Sequence, residues 1–225
     1  MKPSIAIAIS TRNRPKEFWF CFKMIRQFTR FNCDIFVVDD ASDQTYVLAD
    51  YKFNERSGIS RSKNKCLDIL HKAYHNGVKH FFLFDDDTYP IKFGWQDFYI
   101  NSGAHHLSYS FTKPIRQDDK FKYHHYPNGC MLYFTRECID TVGGFDTQFN
   151  NKYEHTELSR RIYNAGLTAH PAMDLVGSSE YIYCMDQDNA IHRSFSDKEM
   201  KQSLKEGYAH FEETKFRKEF IEFRS

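Results

Sequence analysis

The sequence predicts an α/β protein of a single domain, in which a mostly parallel sheet is flanked by helices. Three apolar runs of strand length occur in the first half, segments with helical spacing separate them, and each run ends in polar residues. Strands that alternate with helices at this spacing form crossover units, which produce parallel sheets. The length of 225 residues suits one domain with a full hydrophobic core.

The first half contains three predicted strands and two predicted helices. Residues 4–10 are almost uninterruptedly apolar, which predicts a strand buried on both faces. Buried strands are also predicted over 33–42 and 79–87, and both end in acids. Helices are predicted over 16–31 and 57–77. Because ligands bind at the carboxyl ends of the strands in such sheets, the polar strand ends predict one shared ligand site.

The second half is less regular. Strands are predicted over 105–111 and 129–134, a short helix over 136–145, and a longer helix over 155–166. From about Ser196 a charged amphipathic helix is predicted to continue to the end of the chain. One side of that helix carries the apolar residues Met200, Leu204, Tyr208, Phe211 and Phe220.

The composition favours a globular, cytosolic protein. Hydrophobic residues make up 41% and charged residues 27%, which excludes a disordered chain. The net charge of +1 argues against a nucleic acid as partner, because proteins that bind nucleic acids by charge are strongly basic. The six cysteines are scattered without zinc spacing, which indicates reduced thiols. Without a signal peptide or long apolar run, we expect a cytoplasmic location that still allows contact with a membrane surface.

Asp85, Asp86 and Asp87 end the third predicted strand. Adjacent carboxylates repel one another, so this run is a poor choice for stability alone and predicts a cationic ligand. Mg²⁺ and Mn²⁺ prefer oxygen ligands, often one or two carboxylates with phosphate oxygens. On a strand, Asp85 and Asp87 point to one side and Asp86 to the other, so this Asp-x-Asp pair can hold a metal. The alternative is a solvated or helix-capping acidic turn.

Two further polar groups are candidates for binding a ligand. Asp39 and Asp40 follow the second strand, where a carboxylate either accepts hydrogen bonds from a base or a ribose hydroxyl, or caps the turn. Arg61 and Asn64 lie three residues apart near the start of a predicted helix and are expected to share a face. A guanidinium there neutralises phosphate or packs on a base, and a solvated helix face is the alternative.

An acidic cluster opens the helix predicted over 155–166. Glu154 and Glu157 are three residues apart, and either a general base at the mouth of a site or ordinary helix capping explains them. His192 is a lone histidine in a predicted loop, and its residue type alone gives it no role.

Taken in order, five segments resemble the inverting glycosyltransferases of the GT-A fold, of the family 2 type. The matching segments lie within residues 4–167 and read IAIAISTRNRP, DIFVVDDASD, SGISRSKNKCLDIL, FFLFDDDTYP and GGFDTQFNNKYEHTELSRRIYNAGL. Each is only moderately specific, but five in sequence are hard to produce by chance. The resemblance implies a Rossmann-like sheet and transfer of a sugar from a nucleotide-sugar, usually a UDP-sugar.

The resemblance also divides the single domain and assigns the donor site. It implies a nucleotide-sugar-binding half over about 1–90, an acceptor and catalytic half over about 91–195, and the amphipathic helix over about 196–225. Asp40, with Asp39, is implied to bond the base, and Asp86 the ribose or the donor sugar. The full set of residues implied or expected to bind the nucleotide-sugar is Ser10, Thr11, Arg12, Asn13, Asp39, Asp40, Arg61, Asn64 and Asp86.

For the metal, the resemblance implies that Asp87 is the main ligand of Mn²⁺ or Mg²⁺ and that Asp85 helps through water. By analogy, His192 supplies a late ligand from a loop. The family pattern is usually Glu-Asp followed two residues later by Glu, with the aspartate as catalytic base. Here His155 stands at the aspartate position. We expect Glu154 to take over as base, and the alternatives are His155 itself or a chain that has lost activity.

The expected acceptor is a hydroxyl group of a glycan or a lipid-linked glycan, contacted by residues 150–153. The C-terminal helix is the candidate for peripheral membrane contact, although its acids favour a solvated packing helix. Rival functions are a nucleotide-sugar-binding module without turnover and transfer to a modified nucleic-acid base, for which the near-neutral charge gives no support. A metal-dependent nucleotidyltransferase is disfavoured, because residues 10–15 contain no glycine for a phosphate loop.

Overall fold

The structure, a computed structural model, describes residues 5–30, 33–44, 48–73, 77–149, 151–188 and 197–224. The strands are β1 (Ile5–Thr11), β2 (Ile35–Asp39), β3 (Tyr51–Lys52), β4 (His80–Asp85), β5 (Thr88–Pro90), β6 (His106–Ser108), β7 (Arg116–Gln117), β8 (Phe121–Tyr123), β9 (Met131–Thr135), β10 (Met173–Leu175) and β11 (Ile182–Cys184). The helices are α1 (Pro15–Phe28), α2 (Ile59–Ala73), α3 (Trp95–Ile100), α4 (Arg136–Val142), α5 (Glu154–Asn164) and α6 (Asp197–Thr214).

The central sheet has the strand order β3-β2-β1-β4-β9-β6. β1 pairs in parallel with β2 and β4, and β3 extends the parallel part beyond β2. β9 runs antiparallel to both of its neighbours. All seven residues of β1 are buried, as in a strand with both faces covered. The predicted α/β class and the mostly parallel sheet are therefore confirmed.

Side chains that alternate along β1 and β4 divide the core into two layers. Ile7 and Phe82 belong to the layer that contains the buried residues of α1. Ala8 and Leu83 belong to the layer on the opposite face, which contains buried residues of α2, α4 and α5. Helices on both faces therefore fix the sheet, and the carboxyl ends of its parallel strands share one edge.

The three aspartates lie where β4 ends. The strand stops at Asp85, and Asp86 and Asp87 form a turn before β5. The prediction that the strand continues to Asp87 is therefore wrong, and strand alternation does not set the directions of the last two side chains. The turn forms because β5 pairs with β11, and the Met185 N–H donates to the Asp87 carbonyl at 2.9 Å.

The C-terminal helix α6 ends at Thr214, so the prediction that it continues to the chain end is wrong. The segment after it packs back on the fold. The Asn164 side-chain amide donates to the carbonyls of Lys215 and Arg217 at 2.9 and 2.7 Å. Phe223 is buried among the core residues of α2 and α4. Hydrogen bonds to its backbone and burial of Phe223 therefore hold this segment on the fold, although it is not helical.

Two small antiparallel sheets lie beside the central one. β10, β8 and β7 form the first, and β11 with β5 forms the second. These strands cannot be recognised from the sequence pattern, because each is only two or three residues long. In the part of the chain that the structure describes, no helix is long and apolar enough to cross a membrane.

Gly143 tests whether the C-terminal segment is part of the fold. Its backbone has φ 75° and ψ −148°, a conformation open essentially to glycine alone. A Cβ there would lie 1.9 Å from the Ile221 carbonyl oxygen. We expect Gly143→Ala to lower the free energy of unfolding by about 3 kcal/mol or more, since strain and clash combine. Urea denaturation followed by circular dichroism measures it.

Gly103→Ala is the matched control. Gly103 also has positive φ, 70°, but nothing lies within 4 Å of its Cβ position. We expect it to lose about 1 kcal/mol from the backbone conformation alone. Equal losses in the two variants would show that packing of the C-terminal segment on Gly143 contributes little.

Candidate active site

A cavity of about 400 Å³ opens at the carboxyl ends of the parallel strands. This size is within the range of small-ligand pockets, and the position is the one where such sheets bind ligands. The ends of β1 and β4, the start of α2, the residues before β9 and the start of α5 all contribute to it. The polar lining includes Ser10, Thr11, Arg12, Arg14, Asp40, Ser62, Lys63, Asp85, Asp87, Asn128, Lys152, Glu154 and His155.

The structure brings eight of the residues predicted for the site into the lining of this cavity. They are Ser10, Thr11, Arg12, Asp40, Asp85, Asp87, Glu154 and His155. Asp86 lies behind the lining and is fully buried. Four others lie away from the lining: Asn13, Asp39, Arg61 and Asn64. His192 lies outside the described residues.

Arg14 holds two of the three aspartates. Its guanidinium pairs with Asp87 at 2.9 Å and also with the buried carboxylate of Asp86. The Thr11 hydroxyl donates to Asp86 at 2.6 Å. Burial raises the pKa of Asp86 to about 7, against the opposing charge of Arg14. The neighbouring acids in turn raise the pKa of Arg14, although burial works to lower it, so Arg14 stays charged.

Lys63 holds the remaining aspartate. Its ammonium lies 3.1 Å from Asp85 and donates to the Gly129 carbonyl at 2.9 Å. The lysine side chain is 1% exposed. Burial works to lower the pKa of Lys63, but Asp85 and Glu154 outweigh it and raise the pKa. Two cations, Arg14 from the loop after β1 and Lys63 from α2, thus pair with the acid run, as buried charges require.

The acids after β2 have different roles. Asp39 is fully buried and accepts hydrogen bonds from the Ser42 N–H and hydroxyl, so it caps the turn. Asp40 lines the cavity, and its carboxylate accepts hydrogen bonds from the Ser57 N–H and hydroxyl and from the Gly58 N–H, just before α2. Of the two acids, Asp40 therefore lies in the cavity wall, and Asp39 caps the turn behind it.

Asn13 connects the loops after β1 and β2. Its side-chain amide donates to Asp43 at 3.1 Å, and its carbonyl oxygen accepts from the Asp43 N–H at 2.8 Å. It has a left-handed backbone, with φ 52°, and an exposed side chain. This contact shapes the rim of the cavity but does not place the Asn13 side chain in it.

Arg61 and Asn64, three residues apart on α2, have different environments and neither lines the cavity. Arg61 is exposed, whereas Asn64 is buried and forms two hydrogen bonds with the Phe145 backbone, at 2.7 and 2.9 Å. Between them, Ser62 and Lys63 line the cavity. Spacing shows which residues are neighbours on a helix but not which of them face the ligand site.

Glu154 and His155 open α5 and form a hydrogen-bonded pair. The Glu154 carboxylate lies 3.0 Å from the His155 Nδ1. Burial works to raise the pKa of Glu154, but the charges of His155 and Lys63 outweigh it and hold the pKa at about 2. An ionised carboxylate only accepts hydrogen bonds, so the proton lies on Nδ1 and the lone pair of a neutral ring is on Nε2.

Glu157 is separate from this pair. It is buried and accepts two hydrogen bonds from Arg161, at 2.9 and 3.0 Å. Arg161 also donates to the carbonyls of Val142 and Gly144. Glu157 therefore stabilises the glycine turn before α5, and Glu154 is the acid that faces the cavity.

The donor atoms at this site suit a divalent cation that is shared with a phosphate ligand. Asp85 and Asp87 both line the cavity, with side chains 22% and 11% exposed. The Asp85 Oδ1 is buried without a hydrogen-bond partner, although Lys63 lies close to it. Among the described residues, no group of three or more acidic, histidine or cysteine side chains is arranged to hold a metal alone. Two carboxylates suffice for Mg²⁺ or Mn²⁺ where phosphate oxygens complete the coordination.

Comparison with known proteins identifies the fold. No protein-family model and no curated protein sequence matches the chain. Solved structures do: the mannosyltransferase PcManGT from Pyrobaculum calidifontis, in complex with GDP-Man and Mn²⁺, has a TM-score of 0.53 at 16% identity, over 76% of this chain and 55% of its own. S. aureus TarS has a TM-score of 0.60 at 13% identity, over 93% and 44%. GalNAc-T7, with UDP, GalNAc and Mn²⁺, has 0.57 at 11%, over 72% and 41%.

These likenesses show that the chain has the GT-A glycosyltransferase fold, as the sequence predicts. The chain spans about half the length of these proteins, between 41% and 55%. Family 2 membership stays a prediction.

Gly129 tests the geometry of the Glu154–His155 pair. A Cβ at Gly129 would lie 2.6 Å from the His155 Nδ1 and 2.8 Å from its Cγ. We expect Gly129→Ala to displace the ring and break the hydrogen bond to Glu154. Proton NMR of the His155 Nδ1–H, which is shifted downfield while bound to a carboxylate, measures this. Gly77→Ala is the control, since nothing lies within 4 Å of that Cβ position. An unchanged resonance in Gly129→Ala would contradict the pairing.

Proposed function

We propose that this protein is an inverting glycosyltransferase that moves a sugar from a nucleotide-sugar to an acceptor hydroxyl. One observation carries the proposal. A single cavity has paired acids and cations at the strand ends and a Glu–His pair at the start of α5. The first group suits a diphosphate and the second suits removal of a proton from a hydroxyl.

The donor is most simply a UDP-sugar. GalNAc-T7 and a 1–349 fragment of TarS are described in complex with UDP, and PcManGT with GDP-Man. In this chain Arg14 and Lys63 lie beside the acids that line the cavity, where they can neutralise the charge that builds on the departing diphosphate. Asp40, at the end of β2, is the acid placed to contact the nucleoside.

Asp85 and Asp87 would hold Mn²⁺ or Mg²⁺ together with the diphosphate. A divalent cation bound there supplies charge stabilisation to the leaving group. Around it, Asp86 stays buried and fixes Arg14 and Thr11, so its role is to position the groups that contact the donor.

His155 is the proposed catalytic base, and Glu154 its positioning residue. The Glu154 carboxylate accepts the hydrogen bond from His155 Nδ1 and lies near the charge of Lys63, which together weaken it as a base. His155 has Nδ1 bound to Glu154, so its Nε2 can accept the proton of an acceptor hydroxyl. As the acceptor oxygen bonds to the anomeric carbon, the bond to the diphosphate breaks on the opposite face. One such displacement inverts the anomeric centre.

Binding of UDP tests the donor site. We expect UDP to bind the wild type in the presence of Mn²⁺ and to bind Asp87→Asn at least about tenfold more weakly, because one charged ligand is lost. Isothermal titration calorimetry measures these affinities. Titrations with UDP, GDP and CDP, each with and without Mn²⁺, also show which nucleobase the site prefers. Asp119→Asn is the control, since Asp119 is exposed. Equal affinities in the wild type and Asp87→Asn would contradict the assignment.

The rate of UDP release from a UDP-sugar tests the assignment of His155 as the catalytic base. We expect His155→Asn to lower kcat by about 10²–10⁴ while UDP affinity is kept, because proton removal is lost. Glu154→Gln should retain more activity. Its imidazole is kept but loses the charged partner on Nδ1, so kcat should fall less than in His155→Asn.

The opposite pattern would assign the base to Glu154: activity retained in His155→Asn and abolished in Glu154→Gln. His155→Asp, which restores the usual pattern of the family that the sequence resembles, is the informative third variant. We expect it to remain active, because a carboxylate then stands at the position of the imidazole. UDP binding by the wild type without UDP release would identify a binding module without turnover.

A further inference from the structure

Three tyrosines from three separate segments form a row, here called the tyrosine row: Tyr126, Tyr153 and Tyr208. The ring centroids of Tyr126 and Tyr153 are 6.4 Å apart, and those of Tyr153 and Tyr208 are 6.0 Å apart. Tyr126 is 56% exposed and Tyr208 is 50% exposed. Single exposed aromatic side chains are ordinary on this surface, but these two adjoin a third ring, and grouped exposed apolar side chains mark sites of contact.

The tyrosine row lies next to the catalytic end of the cavity. Tyr153 directly precedes Glu154, and its other neighbour, Lys152, also lines the cavity. Tyr126 is two residues before Asn128, another lining residue. The row is therefore connected through the chain to the end of the cavity that contains the Glu154–His155 pair.

Two features of the chain are needed to build the row. Tyr153 has a left-handed backbone, with φ 71° and ψ −4°, which is rare for a bulky residue and carries strain. Gly207 lets α6 approach, because a Cβ there would lie 2.8 Å from the Lys152 carbonyl oxygen and 3.0 Å from the Tyr153 ring. Behind the row, Tyr153 stacks on Phe211 at 5.6 Å, so the central ring is held while the outer two stay exposed.

The charges around the row favour a neutral ligand. Glu206 and Glu212 flank Tyr208 along α6 and are exposed, and the exposed Lys205 and the half-buried Lys152 lie beside them, so charges of both signs surround the row. Carboxylates at this position repel a phosphate backbone, and so disfavour a nucleic acid. A sugar ring has apolar C–H faces that pack on aromatic rings and hydroxyls that bond to carboxylates and tyrosine hydroxyls.

We propose that the tyrosine row is the acceptor subsite and that it binds the ring of a neutral carbohydrate. This proposal rests on the proposed function, because the subsite presents an acceptor hydroxyl to His155. The row then selects glycan acceptors by their apolar faces, while Arg14, Lys63 and the aspartates select the donor. The cavity and the tyrosine row accordingly bind two chemically different ligands.

Saturation-transfer NMR with methyl glycosides tests this subsite. The probes are the methyl α- and β-glycosides of glucose, galactose, mannose and N-acetylglucosamine, each with and without UDP and Mn²⁺. We expect at least one to bind the wild type through the C–H protons of one ring face. Tyr126→Ala and Tyr208→Ala should weaken its binding about threefold to tenfold, the amount that one aromatic contact contributes. Both residues are exposed, so both variants should fold.

Tyr163→Ala is the matched control, because Tyr163 is 39% exposed and lies at the far end of α5. It should bind the glycoside as the wild type does, and all three variants should bind UDP equally. Undiminished glycoside binding in Tyr126→Ala and Tyr208→Ala would overturn the proposal, as would a wild type that binds none of the glycosides. Tighter binding of a short single-stranded DNA, lost in these two variants, would assign the row to nucleobases instead.

Failure of the proposed function has a different signature. It would appear as a wild type that binds no nucleotide, while glycoside binding in the absence of nucleotide still reports on the row. The two claims are therefore judged from separate measurements on the same samples.

Discussion

Three neighbouring carboxylates at the end of a buried strand are the constraint on which this site depends. Charges taken out of water need partners, and Asp85, Asp86 and Asp87 find them in Arg14 and Lys63. Arg14 comes from the loop after β1 and Lys63 from α2, so neutralising the acids fixes both segments against β4. The same pairing leaves two carboxylates and two cations at one cavity wall, which is the chemistry that a metal-bound diphosphate requires.

Lys63 connects the two ends of the cavity. It contacts Asp85 and the Gly129 carbonyl, and its charge helps to hold the pKa of Glu154 low. The ionised Glu154 in turn sets the tautomer of His155. The charge of Asp85 is therefore connected to the environment of the proposed base through one buried residue, Lys63. This pairing gives a physical reason for histidine in place of the usual aspartate, because the Glu154 carboxylate beside it orients the His155 ring.

The sequence predicts the long, strongly patterned elements and the edge of the sheet where the cavity lies. Residues 4–10 read as a buried strand because their apolar run is continuous, and β1 confirms it. The sequence does not predict β7, since two residues carry no periodic signal. The sequence points to Arg61 and not to Lys63, because spacing shows which residues share a helix face but not which face turns inward. Arg14 follows β1 by only three residues, and its pairing with the aspartates depends on a turn that the pattern does not encode.

A crystal structure with UDP and Mn²⁺ tests the central claim most directly, namely that the acids and cations at the strand ends form one donor site. The account predicts the metal on Asp87 and the diphosphate beside Arg14 and Lys63, with His155 still bonded to Glu154. A nucleotide bound outside this cavity would contradict the account. A nucleotide bound in this cavity with no metal on Asp87, and with Asp87 paired only with Arg14, would also contradict it.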